Sequence, residues 1–399
     1  MPKDRAQRRK RPAKDGDRPP CKYGFKCYRK STDHLEKFRH PEMGPQYDAG
    51  VSEDAPAVDE KVPAGKDTKN DLPDSPDDVR ESIKQKFLVE MPEDFYDFWD
   101  FCCSLKKENP SGATYLNHSC TERASQLQDA LYELLHLRLV GPFDVLAGKL
   151  TNKSVRTFDD FLCHWRYFYD PPEMQTVLSG DDETMYHIGY FRDDPEEMPV
   201  FLASNVASEG CKIVKVAGNL FAVLSKEISK ALEKCDNSRD KAKLRKLNGA
   251  LVEFAEQKGH SLQESSKKRP KPQSAAFHGA GLVVPYDSKT GVGYRKLPLS
   301  DVELKKLLAK FSDDHEGGVH KDKLQELVTW IHIANDECDY GMGLEFSIAL
   351  FCAGHASLDP TVDMLGGLAY KLLRREPFAC ILVAHLKRRH KSPNVSVLS

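Results

Sequence analysis

No apolar run in this chain of 399 residues approaches the about 20 residues that a membrane-spanning helix requires, so no such span is expected. The opening residues, MPKDRAQRRKR, are basic where a secretory leader would be apolar. A disulfide framework is also missing. The eleven cysteines are odd in number, and apart from two pairs (Cys21 with Cys27, and the doublet Cys102-Cys103) they are scattered. That suits reduced thiols in a cytosolic or nuclear protein. No segment repeats at a fixed period, which argues against a solenoid or propeller. The glycine pairs in GVGYRK and GAGLVV lack the strand, tight turn and helix of a G-x-G-x-x-G site, so nothing looks like a dinucleotide pocket. Charge of neither sign dominates. A net charge of -2 with 40% hydrophobic content describes a soluble chain long enough for two domains beyond one small module.

That small module holds the densest chemistry. Cys21, Cys27, His34 and His40 lie inside CKYGFKCYRKSTDHLEKFRHP, separated by five, six and five residues. Two thiolates and two imidazoles this close form a tetrahedral zinc set, and so short a stretch takes its folding free energy from the metal. Chance clustering is the alternative. The module lacks the long Cys-to-His arm that builds a DNA-recognition helix. Tyr23, Phe25, Tyr28 and Phe38 alternate with Lys22, Lys26, Arg29, Lys30 and Arg39. Aromatic faces that stack bases, beside cations that hold phosphates, suit a nucleotide-bearing polymer. The bland reading is that the aromatics pack around zinc, and for Phe38 it is the better one. The order C-x-Y-G-x-x-C-Y-R, followed by H and then HP, resembles the poly(ADP-ribose)-binding zinc finger from Cys21 to Pro41. The resemblance implies that Tyr23, Tyr28 and Arg29 hold an adenine and pyrophosphate of poly(ADP-ribose).

Composition divides the rest into an α+β chain. A basic disordered arm (1–18) precedes the zinc finger (19–42), and an acidic disordered linker (43–78) tethers it. A mostly helical N-terminal subdomain (79–155) and a mixed strand and helix domain (156–392) follow. Helices are expected over Ser82 to Leu88, Asp94 to Leu105 and Ala124 to Leu139, the last stopping at Gly141-Pro142. Strands are expected at HWRYFY, Met185 to Phe191, Val200 to Ala203, Lys212 to Val216 and Gly281 to Pro285. Asn219 caps a helix to about Lys234, and a Lys/Glu-rich helix runs to Gln257. Ser300-Asp301 opens another, followed by Lys321 to Ala334, Leu344 to Phe351 and a closing helix from Met364 to Leu386. Strands grouped before helices argue against a doubly wound sheet. Arg8-Arg9-Lys10-Arg11 and Lys267-Lys268-Arg269-Pro270-Lys271 read as nuclear addresses or as solvated basic runs.

The junction ANDECDYGMG, Ala334 to Gly343, gathers Asp336, Glu337 and Asp339 between apolar helices. Three readings stand: helix capping, metal binding without the D-x-D-x-D-G order of a calcium loop, and general-base chemistry. Arg295, in Gly293-Tyr294-Arg295, suits a bidentate pair with that junction or with a partner, or is an ordinary exposed arginine. Trp99, Trp165 and Trp330 read as core. His164, His187, His332 and His385 read as satisfied structural histidines. Cys338, crowded by carboxylates, is no nucleophile.

The strings DPPEMQTVLSGDDETMYHIGYFRDDPEEMPVF, FHGAGLVVP, GYRKLP and ANDECDYGMGLE resemble the histone PARylation factor family from about Val79 to His390. The match weakens over Lys226 to Gln273 and at the end of the chain, and the finger is not a universal part of that family. The resemblance implies no stand-alone enzyme, but a factor that docks on the catalytic domain of a DNA-damage-activated poly(ADP-ribose) polymerase. Glu337 would take the proton of an acceptor serine, chiefly on histones, while Asp336, Arg295 and Tyr294 hold the polymerase. NAD belongs to that partner, and the chain would act in the nucleus, on chromosomes at sites of DNA damage. An independent hydrolase using Glu337 with Asp336 or Asp339, and a plain polymer reader, are the competing functions.

Overall fold

Short runs of aromatic and β-branched residues pair in chain order into a five-stranded antiparallel sheet. The structure is a computed structural model, and it describes residues 76–105, 131–263, 269–311 and 319–398. The chain falls into two compact units, Met1–Asp67 and Thr68–Ser399, and all the described residues belong to the second. The expected basic arm, the finger with its four ligands and most of the acidic linker therefore lie outside the described residues.

The strands are β1 (Arg138–Leu139), β2 (Met174–Ser179), β3 (Tyr186–Phe191), β4 (Phe201–Val206) and β5 (Val214–Ala217). Side chains alternate between two faces. Ile188, Tyr190 and Leu202 join the main core, whereas Met174, Phe191, Phe201 and Ala203 form a smaller cluster on the other side. Helices α1 (Val79–Phe87) and α2 (Glu93–Ser104) pack with the short α3 (Pro142–Leu146) and α4 (Phe158–Cys163). The stripe Phe95, Phe98, Trp99 and Phe101 is buried as its spacing predicts. Asn219 accepts from the Ala222 amide at 2.9 Å and opens α5 (Leu220–Lys234), and α6 (Ser238–Lys258) follows. The remaining helices are α7 (Asp301–Phe311), α8 (Val319–Asp336), α9 (Tyr340–Ala353), α10 (Asp359–Leu372) and α11 (Glu376–Arg388). Every residue of α9 from Gly341 to Cys352 is buried, so it is the central helix of this half.

Several expectations are corrected. The helix expected to reach Leu139 breaks at His136, whose φ is 53°, and Arg138 and Leu139 pair instead with Ser179 and Leu178. HWRYFY is not a strand. Trp165 has φ 55°, the Tyr167 amide bonds the Asp170 carboxylate at 3.0 Å, and buried Arg166 ties the segment to the carbonyls of Leu162, Pro171 and Met174. Gly281 to Pro285 contributes one bridge, Leu282 to Ser274, and beyond it side chains take the backbone groups: Arg375 donates to the Val283 carbonyl and the Val284 amide donates to Gln273 Oε1. The closing helix is two, divided where Arg374 adopts φ 61°. Trp330 is 46% exposed rather than core. His332 is exposed, and both ring nitrogens of buried His385 lack a partner. His164 and His187 are satisfied, by Asp144 at 3.0 Å and by Asp170 at 2.7 Å.

Candidate docking and proton-transfer site

The acidic junction is three residues, Glu337 to Asp339, between the end of α8 and the start of α9. Its turn is set by backbone geometry. The Asp339 amide reaches back to the Ala334 carbonyl at 2.8 Å and the Cys338 amide to Asn335 at 3.1 Å. Cys338, at φ 66°, holds the left-handed position that glycine usually fills in such a helix stop. Asp339 stands at the N-cap of α9 yet makes no side-chain capping bond. Its nearly buried carboxylate faces the other way, toward the Gly293-Tyr294-Arg295 segment.

Two glycines allow that approach. The Gly341 amide donates to the Gly293 carbonyl at 3.0 Å, and the Gly293 amide donates to Asp339 Oδ1 at 2.9 Å. Gly293 has φ 114°, and a β-carbon there would fall 2.0 Å from the Pro285 carbonyl oxygen. Any other residue would push the segments apart.

Arg295 completes the arrangement. Its Nη2 lies 2.9 Å from Asp339 Oδ2 and also pairs with Glu337 Oε2. Two of the three acids therefore share one cation, which offsets the repulsion expected from their crowding. Glu337 remains 53% exposed, and Asp336 faces solvent on the last turn of α8. Tyr294 is half-buried and its hydroxyl donates to Glu345 Oε2 at 2.9 Å. Burial pushes the Glu345 carboxyl upward, with the Ser274 and Tyr294 hydrogen bonds opposing, and burial beside Glu345 raises the Tyr294 phenol as well. Sequence reasoning missed Glu345. The signal was present, since it is the single charged residue in an otherwise apolar helix.

Among the described residues no cluster of three or more His, Cys, Asp and Glu is placed to hold a metal. The finger's donors, two thiolates and two imidazoles, suit zinc by their chemistry. A cavity of about 330 Å³ is lined by Tyr132, Arg138, Asp144 and Trp165 among others, and the junction is not part of its wall.

The family model described as Histone PARylation factor 1 matches residues 78–389, and the PBZ domain model matches residues 18–43. Histone PARylation factor 1 of Bos taurus is 40% identical over 331 residues, covering 81% of this chain and 90% of that protein. The Mus musculus protein of the same name is 40% identical over 337 residues, covering 83% and 92%. That of Danio rerio is 40% identical over 328 residues, covering 80% and 88%. This chain, with a PBZ domain ahead of its body, belongs to the histone PARylation factor 1 family.

Proposed function

We propose that this chain is an accessory factor that docks on the catalytic domain of a poly(ADP-ribose) polymerase and lends it Glu337 as general base, so that serines, notably on histones, become ADP-ribosylated. A serine hydroxyl is a weak nucleophile near neutral pH. As its oxygen attacks the ribose carbon of NAD held by the polymerase, its proton passes to the Glu337 carboxylate and nicotinamide departs with the bonding pair. Acidic acceptors arrive ionised and need no such base, so one added carboxylate changes acceptor choice without touching NAD binding.

The observation that carries this reading is the half-exposed carboxylate of Glu337 on a backbone-bonded turn outside the cavity described above. Asp336, Arg295 and Tyr294 form the docking surface around it. When Arg295 turns toward a carboxylate of the polymerase, Glu337 is released from its internal pair and becomes free to accept a proton. The independent hydrolase is disfavoured for the Glu337 and Asp339 pair, because the Asp339 carboxylate is already taken up by the Gly293 amide and by Arg295. The finger, with zinc on Cys21, Cys27, His34 and His40, binds poly(ADP-ribose) through Tyr23, Tyr28 and Arg29 and retains the factor on damaged chromatin in the nucleus.

Two experiments test this. Glu337→Gln is expected to keep polymerase affinity while lowering serine modification of a histone peptide by about 100-fold or more, the usual size of a general-base contribution. Serine modification at the unaltered rate overturns the assignment. Removing residues 1–78, or chelating zinc, is expected to abolish polymer binding in a gel-shift assay and to leave serine specificity intact. If serine specificity disappears with the finger, the plain-reader function is the correct one.

A further inference from the structure

Trp330 and Ile333 are 46% and 41% exposed, although α8 buries Leu324, Leu327, Val328, Ile331 and Ala334 on its other side. With 3.6 residues per turn, Asp322, Glu326, Trp330 and Ile333 fall on one stripe of α8, and Glu337, whose amide still donates to the Ile333 carbonyl at 3.2 Å, continues it just past the helix end. The stripe runs from two exposed carboxylates, across an indole and an isoleucine side chain, to the carboxylate at the site. The fold does not need this arrangement, since the core face of α8 is complete without it. Lys321 and Lys323 flank Asp322, so the attractive stretch ends there.

We propose that this face of α8 is the track on which the acceptor segment lies, an inference that rests on Glu337 being the base. The occupant is an extended, cationic peptide bearing the serine. Charge and continuity both favour it. A Lys or Arg on such a peptide pairs with Glu326 or Asp322, and its aliphatic stem or cationic head covers Trp330. Ile333 fills the gap between the indole and the reacting serine. The dimensions fix the register. At 1.5 Å rise per residue, Trp330 lies about 10 Å and Glu326 about 16 Å along the helix from Glu337. An extended chain advances about 3.3 Å per residue, so the residue about three places from the serine meets Trp330 and the one about five places away meets Glu326.

The test uses the full chain with the polymerase catalytic domain, NAD and a serine peptide carrying lysine five places from the serine. Trp330→Ala and Glu326→Lys are each expected to raise the KM for peptide about tenfold, the effect of losing about 1.4 kcal/mol. Saturated kcat and the calorimetric affinity for the polymerase should stay unchanged. A peptide with glutamate in place of that lysine should recover its KM with Glu326→Lys and not with the unaltered chain. An unchanged KM for both variants overturns the track. Loss of polymerase affinity overturns it too, because the polymerase would then cover this face. Glu337→Gln in the same assay separates the two ideas, for it lowers kcat with KM retained. A full rate with Glu337→Gln overturns the base assignment alone, whatever the α8 variants do to KM.

Discussion

Cys338 carries a cost that the turn imposes. Its φ of 66° places a β-carbon in the left-handed region, which is unfavourable for an L-residue by about 1–2 kcal/mol. Cys338→Gly is therefore expected to raise stability by about 1 kcal/mol in urea unfolding, after the extra freedom of glycine in the unfolded chain is deducted. The individual acids and Arg295 were recognisable from their strings. Their partnership was not, because Arg295 and Glu337 are brought together by a tertiary contact 42 positions apart in sequence. Nor does the sequence say that Asp339, at a capping position, turns its carboxylate away from its own helix. That follows from the Gly293 amide arriving within 2.9 Å.

At the scale of elements, the docking of the Gly293-Tyr294-Arg295 segment on α9 is the contact most open to a decisive substitution. Gly293→Ala would set a β-carbon against the Pro285 carbonyl and strain φ as well, so a loss of about 2 kcal/mol or more is expected. If Arg295 docks the polymerase as proposed, the same change should weaken that binding, read by calorimetry, since the segment that carries Arg295 would be displaced. Most helices were legible from their apolar stripes, and a few also from a capping residue, as with Asn219 ahead of α5. Strand β2 was not. MQTVLS is buried on both faces and so shows no alternation. HWRYFY misled in the opposite sense. Its aromatics suggest a strand, but Arg166 and Asp170 are bent inward to satisfy backbone groups of the turn. The exposed Trp330 escaped for a related reason, since composition alone cannot say which apolar residues of an amphipathic helix stay outside the core.

For the molecule as a whole, acid sensitivity is foreseeable. Burial, with Arg269 nearby, lowers the His278 imidazole to about 4. The Ala280 amide donates to its Nδ1, which fits the neutral ring. A free histidine titrates near about 6.5. Between those values the unfolded chain takes up a proton that the folded chain refuses, so stability falls as pH drops from about 6.5 to about 4, by up to about 3 kcal/mol, and no further below. His385, also buried and lowered, acts in the same sense. Urea midpoints at pH 7 and pH 5 should show the decline, and His278→Asn should make it shallower. The sheet has a different consequence. Its outermost members are the two-residue β1 and the four-residue β5, which bears an exposed lysine at position 215. A foreign backbone thus meets little ladder to zip onto at either margin, which makes this sheet a poor template for fibrous self-association.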